Sequence, residues 1–451
     1  MGSEAVAGEP RLPAGAHIDP AEQLAFLDQR LLGAAGFVRE GGSKLKLILG
    51  GPGAGKTHFL AALLAAARAQ GFLAVHVDAR ARPLWGFDLL YQALAAEIDF
   101  ADLGGRFVSL VLAEAGYAGP PPAPGQALAD WAAAQGHEPH AVRARFDDEL
   151  HRRLLSNRDL DYGYAVGLAR WCEALVGLGT EGAQDGLLEH WLRGGRVGVR
   201  DCNRLRLRRA ADRYTARLWL RSLVHFARLA GYPGLVAGVD GMVVVCTAPP
   251  RPGAEARGTS PTAEAGGAAP PDPGAASAHP LAGNWGAFVS GTGDAPPHYT
   301  KQRRDDLYDS LRTLIDDMGL VPGLLLALAG PPELVRDARL GFKSYPALAE
   351  RVQSEVETVE LNRFADEIAL ERLWAADPDA GRALAEGLLR AVAPGAASDV
   401  RERALAAAAA QWAAQGVTVS AVRRSVLAVL QVAAGSGPVP GGREGAGGDG
   451  A

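Results

Sequence analysis

The residues best suited to chemistry stand together at Gly50-Gly51-Pro52-Gly53-Ala54-Gly55-Lys56-Thr57, with His58 directly after them. Their spacing is G-x-x-x-x-G-K-[ST], the pattern of a loop that cradles nucleotide phosphates. Gly51, Gly53 and Gly55 let the backbone curl until several N–H groups point at one anion. Lys56 brings a compact positive charge to the β- and γ-phosphates, and the Thr57 hydroxyl can ligate Mg²⁺. The pattern therefore implies ATP and Mg²⁺, with Gly50 through His58 as the binding residues. Two acids extend the site. Asp78 closes the apolar run that starts at Phe72, and Asp240 closes the run that starts at Leu235. An apolar strand ending in an acid places a carboxylate at the carboxyl edge of a parallel sheet, where ligands bind in open α/β folds. Asp240 is read as the second Mg²⁺ residue, and Asp78 as a candidate to activate water from a neighbouring strand. Most ATPases of this broad class follow the metal-binding Asp with a Glu. Here the next residue is Gly241.

These side chains need elements to hold them. Leu45–Leu49 reads as a buried strand leading into the loop, and a helix runs on through Phe59 and Leu60 to about Gln70. That helix turns its positive N-terminal end toward the same anion. Phe72–Asp78 begins about 20 residues past the loop and fits the next parallel strand of a βαβ unit. His76 inside it reads as a core or sheet-face residue. Leu235–Asp240 and Gly323–Ala329 are further apolar strands, the latter ending at Gly330-Pro331-Pro332-Glu333, and Val356–Leu361 is a short one. Between Leu84 and about Phe226 apolar residues recur at helical spacing, and helices are expected over 364–375, 380–392, 398–414 and 418–433. The fold class is α/β, a P-loop NTPase with a parallel sheet, a large helical insertion and a C-terminal helical lid. The expected division is a flexible N-terminus over 1–17, a first part of the core over 18–100 and a helical insertion over 101–229. An Asp-bearing strand follows over 230–247, then a disordered loop over 248–300 and the last part of the core over 301–362. A helical lid over 363–434 and a flexible tail over 435–451 complete it. The loop assignment rests on Pro, Gly, Ala, Ser and Thr, which cannot bury enough surface to offset ordering entropy.

Composition narrows the partners. Net charge is −5, so nothing global points to nucleic acid or an anionic membrane. Only 5 of the 46 basic residues are Lys, a skew that looks like coding bias and lowers the significance of any single Arg. Nine arginines still fall between Arg193 and Arg217. They read either as a surface for DNA or an acidic partner, or as a solvated helix face relieved by Asp201 and Asp212. Thin aromatic interleaving favours the second. Three cysteines without metal-ligand spacing suit a reducing compartment. No signal peptide pattern is visible, and no run approaches the roughly 18 apolar residues that span a bilayer. The expectation is a cytoplasmic protein with no membrane partner.

Several longer stretches carry a resemblance. Leu311 to Val352, the HWLRGG segment near Leu192 and the LAGYPGLVAGVDG segment ending at Gly241 resemble the ATP-binding proteins of BREX bacteriophage-exclusion systems. With the phosphate loop, the likeness covers most of residues 20–433 apart from the 248–299 stretch. It implies an AAA+-like P-loop ATPase in a multi-gene phage-defence system, with other proteins of that system and copies of itself as partners. By the same resemblance Arg351 matches an Arg that could reach a neighbouring subunit's nucleotide, where it would stabilise transition-state charge. Its other reading is a surface salt bridge. The chain departs from the family at Gly241, at Pro331 in place of a polar residue, and at Val419-Ser420 in place of Pro-Arg. Arg423 or Arg424 could substitute there from the next turn. Two readings follow, an ATPase using Asp78 and a nucleotide-dependent switch that hydrolyses slowly or not at all.

Overall fold

The computed structural model describes residues 21–117, 119–120, 122–123, 126–178, 186–207, 211–246, 297–352, 363–375, 380–393, 395–415 and 419–433. Five parallel strands form the sheet: β1 Lys44–Leu49, β2 Leu73–Asp78, β3 Leu235–Asp240, β4 Leu324–Gly330 and β5 Glu367–Ala369. Their order is β2-β3-β4-β1-β5. Because every pairing is parallel, all five carboxyl ends lie along one edge.

Parallel strands are covered on both faces, so the inner ones must be apolar throughout. β3 and β4 are buried at every position and β1 at all but its first, whereas β2, at one end of the sheet, alternates. Side chains along a strand point alternately to opposite faces. Leu45, Leu47, Leu49, Ala237, Val239, Leu326 and Leu328 join the core shared with the helices between β2 and β3. Ile48, Val236, Leu325, Ala327 and Ala329 face the other way, onto Phe59, Leu60, Leu63 and Leu64 of the helix Lys56–Ala69. The same second core takes in Leu384, Leu388, Ala404, Ala408, Val422 and Val426 of the C-terminal helices Ala380–Val392, Ser398–Gln415 and Val419–Ala433.

Helices fill the chain between β2 and β3, running from Phe87–Ala96 to Ala216–Leu229. Its centre is aromatic: Trp191 and Trp219 lie 4.4 Å apart, Tyr164 packs on both, and the Tyr91 hydroxyl reaches the Leu192 carbonyl at 2.5 Å. The arginine-rich stretch is not one helix face. Val199–Arg204 is a short helix, and Arg206, at φ 51°, turns the chain away from it.

Two expectations change. The region 364–375 is not all helix, because Glu367–Ala369 is β5 and helix follows only over Leu370–Ala375. The pairing of Leu47, Ile48 and Leu49 with Glu367, Ile368 and Ala369 overrides the helical look of that segment. The expected strand Val356–Leu361 lies outside the described residues. So does most of the expected loop 248–300, but its end is ordered. Tyr299 is fully buried, its hydroxyl accepts a hydrogen bond from the Leu84 amide at 3.0 Å, and its ring meets Trp85 edge-on. Thr300 then caps the helix Lys301–Asp316.

Candidate functional site

The loop after β1 supplies the centre of the site. Gly53 and Gly55 have φ of 81° and 90°, a left-handed conformation that side chains disfavour and glycine adopts freely. Gly55 is the cap of the helix Lys56–Ala69, whose first amides are therefore turned toward the loop. Lys56 folds back, its Nζ donating to the carbonyl oxygens of Gly50 and Gly51 at 2.7 Å each. Burial lowers the Lys56 pKa from its ordinary value, against the opposing charges of Asp240, Glu371 and Glu333. Pro52 is exposed, while Ala54 is buried against the second core. His58 is half-buried in the first turn of the helix.

Thr57 and Asp240 meet. The Thr57 hydroxyl donates to Asp240 Oδ2 at 2.6 Å, while Asp240 Oδ1 accepts from the Gly241 amide at 2.7 Å. Asp240 is 4% exposed. Strand order accounts for this meeting of residues 183 positions apart: β4 alone separates β1 from β3, and all three end at the same edge. The pair presents one hydroxyl and one carboxylate beside the glycine-rich loop, a donor set that would fit a hard divalent cation sharing its remaining ligands with phosphate oxygens and water. Among the described residues no cluster of three or more His, Cys, Asp or Glu could hold a metal without such help.

Asp78 lies directly opposite Asp240 in the β2–β3 register. Its carboxylate is occupied by Arg80, whose Nε and Nη2 donate to Asp78 Oδ1 and Oδ2 at 2.9 Å each, with the Arg80 amide adding a third bond. Burial works against ionisation of Asp78, but the hydrogen bonds and charge of Arg80 outweigh it and hold its pKa below the ordinary carboxyl value. Gly241 sits beside this pair with φ 74°, and a Cβ there would lie 2.6 Å from Asp78 Oδ1. Arg351 is elsewhere. On the helix Pro346–Val352 it pairs with Asp316 at 2.5 Å through Nε and donates to the Ala347 carbonyl. Arg424 is exposed; the side chain of Arg423 lies outside what is described.

Two acids near the loop escaped the sequence reading. Glu371 accepts a hydrogen bond from the Gly51 amide. Leu49 pairs with Ala369, so two residues past each strand end bring Gly51 and Glu371 side by side. The signal was an acid shortly after an edge strand, concealed because that strand was expected earlier in the chain. Glu333, at the start of the short helix Glu333–Arg336 after β4, faces the same lysine electrostatically.

A family model described as BREX system ATP-binding protein BrxC/D matches residues 27–251 and 298–423. The chain belongs to this BREX family. The two matched segments take in all five strands, the glycine-rich loop after β1, Asp78, Asp240, Arg351 and Glu371. They omit 252–297, within the Pro/Gly/Ala-rich stretch. No curated protein and no solved structure matches the chain. Among the described residues, no helix of this BREX protein is long and apolar enough to cross a membrane.

Proposed function

We propose that this BREX protein is an AAA+-like P-loop NTPase that acts as a nucleotide-dependent switch, with slow or no hydrolysis. The observation that carries the binding half is the Thr57–Asp240 contact at 2.6 Å beside Lys56 and the glycine loop. Gly50 through His58 would hold the triphosphate of ATP, and Thr57 and Asp240 would hold Mg²⁺. The ion would supply charge neutralisation at the β- and γ-phosphates. This chain's own residues bind and orient: Lys56 exchanges its two carbonyl partners for phosphate oxygens, and Gly241 N–H fixes the Asp240 carboxylate.

The switch half rests on what surrounds the position where water would be activated. Asp240 is followed by a left-handed glycine, and the nearest strand-end acid, Asp78, is committed to Arg80. A carboxylate bound by a guanidinium and held at a low pKa is a poor proton acceptor. Pro331 has no side-chain donor for a γ-phosphate. In the oligomer that the family relationship suggests, Arg351 would act on a neighbour's nucleotide only by leaving Asp316. Other proteins of the phage-defence system are the proposed receivers of the switch, in the cytoplasm.

The test is paired. ATP affinity and steady-state phosphate release are measured on the purified chain, with and without DNA. Tight binding with negligible release is expected. Lys56→Ala is expected to abolish binding while leaving the thermal unfolding profile close to wild type; unchanged ATP affinity in this folded variant would overturn the site assignment. Turnover that disappears in Asp78→Asn would instead establish the active ATPase reading, with the acid on β2.

A further inference from the structure

The Gly51 amide is one of the loop donors that the glycine spacing prepares for an anion, and in this structure a carboxylate of the protein takes it. The occupant is Glu371. Its Oε1 would lie 3.3 Å from a Cβ at Gly51 and 3.4 Å from one at Gly50, so the carboxylate rests against the first turn of the loop. Glu371 is also one of the three acids that act on Lys56. Carboxylate and phosphate are both oxyanions that backbone amides bind by charge-assisted hydrogen bonds. Two such groups on one amide repel, and the repulsion grows as water is excluded. A triphosphate arriving at Gly51 therefore meets an incumbent.

The incumbent belongs to an element that leads elsewhere. Glu371 is the second residue of the helix Leu370–Ala375, continuous with β5. Leu370, fully buried, packs in the core that contains Leu384 and Leu388 of the helix Ala380–Val392 and Val422 and Val426 of the last helix. Shifting the start of this short helix disturbs a packed apolar cluster that includes the C-terminal helices. Such cores respond by moving elements together, because close-packed side chains do not deform continuously.

Resting on the nucleotide-binding reading above, we propose that Glu371 is an internal competitor for the phosphate loop, and that its displacement by ATP is the step that repositions the C-terminal helices. The nucleotide then supplies what a ligand needs to shift a conformational equilibrium, a difference in affinity between the state with Glu371 in place and the state with it withdrawn.

The experiment compares ATP binding by calorimetry in the full-length wild type, Glu371→Gln, Glu371→Ala and Lys56→Ala, and in Lys56→Ala combined with each Glu371 change, with hydrogen exchange followed over 370–433. Removing the competing charge-assisted bond is expected to tighten ATP binding by about tenfold in Glu371→Gln. Exchange over 370–433 in the nucleotide-free variant should move toward the ATP-bound wild-type pattern. Glu371→Ala repeats the test if the amide of Gln retains the contact. Wild-type binding that depends on Lys56, with both Glu371 variants binding equally or more weakly, overturns the inference and leaves the nucleotide site standing. If wild type binds no ATP, Lys56-dependent binding gained by the Glu371 variants supports the inference. Absence of binding in every variant overturns it together with the nucleotide reading.

Discussion

At Gly241 two constraints act on one residue. Its φ of 74° lies where a side chain costs of order 1–3 kcal/mol. The space for a Cβ is also taken, by Asp78 Oδ1 at 2.6 Å and by Arg80 Cγ at 2.9 Å. The sequence alone suggests restoring the missing acid with Gly241→Glu. The structure predicts a different result: phosphate release does not rise, and stability falls by about 1–3 kcal/mol, read from denaturant unfolding. A rise in turnover would show that the loop relaxes and that the acid alone was missing. The surrounding residues explain the asymmetry of this site. Asp240 has its two oxygens oriented by Thr57 and by the Gly241 amide, a bond available because Gly241 leaves the strand direction at that point. Gly241 thus orients the Asp240 carboxylate through its amide while bringing no carboxylate of its own.

Among the elements, β5 shows most clearly what the sequence could and could not convey. β1, β3 and β4 were legible because inner parallel strands must be apolar at almost every position, and the phosphate loop because its residue types are demanded by backbone curvature. Asp240 and Thr57 were placed together by motif order, and the strand order accounts for their contact. β5 is only three residues, Glu367–Ala369, with one buried side chain, Ile368. No period of two can be read from so short a run, and without β5 the location of Glu371 could not be read either. Part of what holds its entry is Lys46, buried within β1, whose Nζ donates to the carbonyls of Phe364 and Ala365 at 2.9 and 2.7 Å and to Asp366. Burial lowers the Lys46 pKa, with Asp366 opposing, so the folded protein releases this proton at lower pH than the unfolded chain does. Between the folded value and the unfolded value of about 10.4 the unfolded chain binds more protons, and stability contributed at this site rises with pH. Lys46→Met removes the titration and, at every pH alike, the Nζ hydrogen bonds to the two carbonyls. The difference in unfolding free energy between wild type and Lys46→Met should therefore move in favour of wild type as pH rises toward about 10.4. A difference independent of pH would show that Lys46 does not titrate differently in the two states.

At the scale of the whole molecule, the question is whether the arginines between 193 and 217 form an outward surface or hold the helical insertion together. Arg193 donates to the carbonyls of Ala95 and Ala96 at 3.2 and 2.7 Å, at the C-terminal end of the helix Phe87–Ala96, where unpaired carbonyls and the helix dipole favour a cation. It also pairs with Glu189 at 2.6 Å and lies over the Phe100 ring. Arg204 faces Asp201, and Arg217 pairs with Asp317, 100 positions further along the chain. Arg193, Arg204 and Arg217 are thus paired within the chain, though only Arg193 is partly buried and the other two are exposed. Arg193→Ala is expected to lower stability by about 2 kcal/mol, the scale of losing hydrogen bonds made by a charged group, as measured by chemical unfolding. The same variant should leave retention on DNA unchanged at low salt. A protein that reads DNA through this stretch would instead lose affinity steeply as salt is raised. It would also lose affinity in Arg193→Ala while remaining as stable as wild type, and that combination would overturn the structural assignment of these arginines.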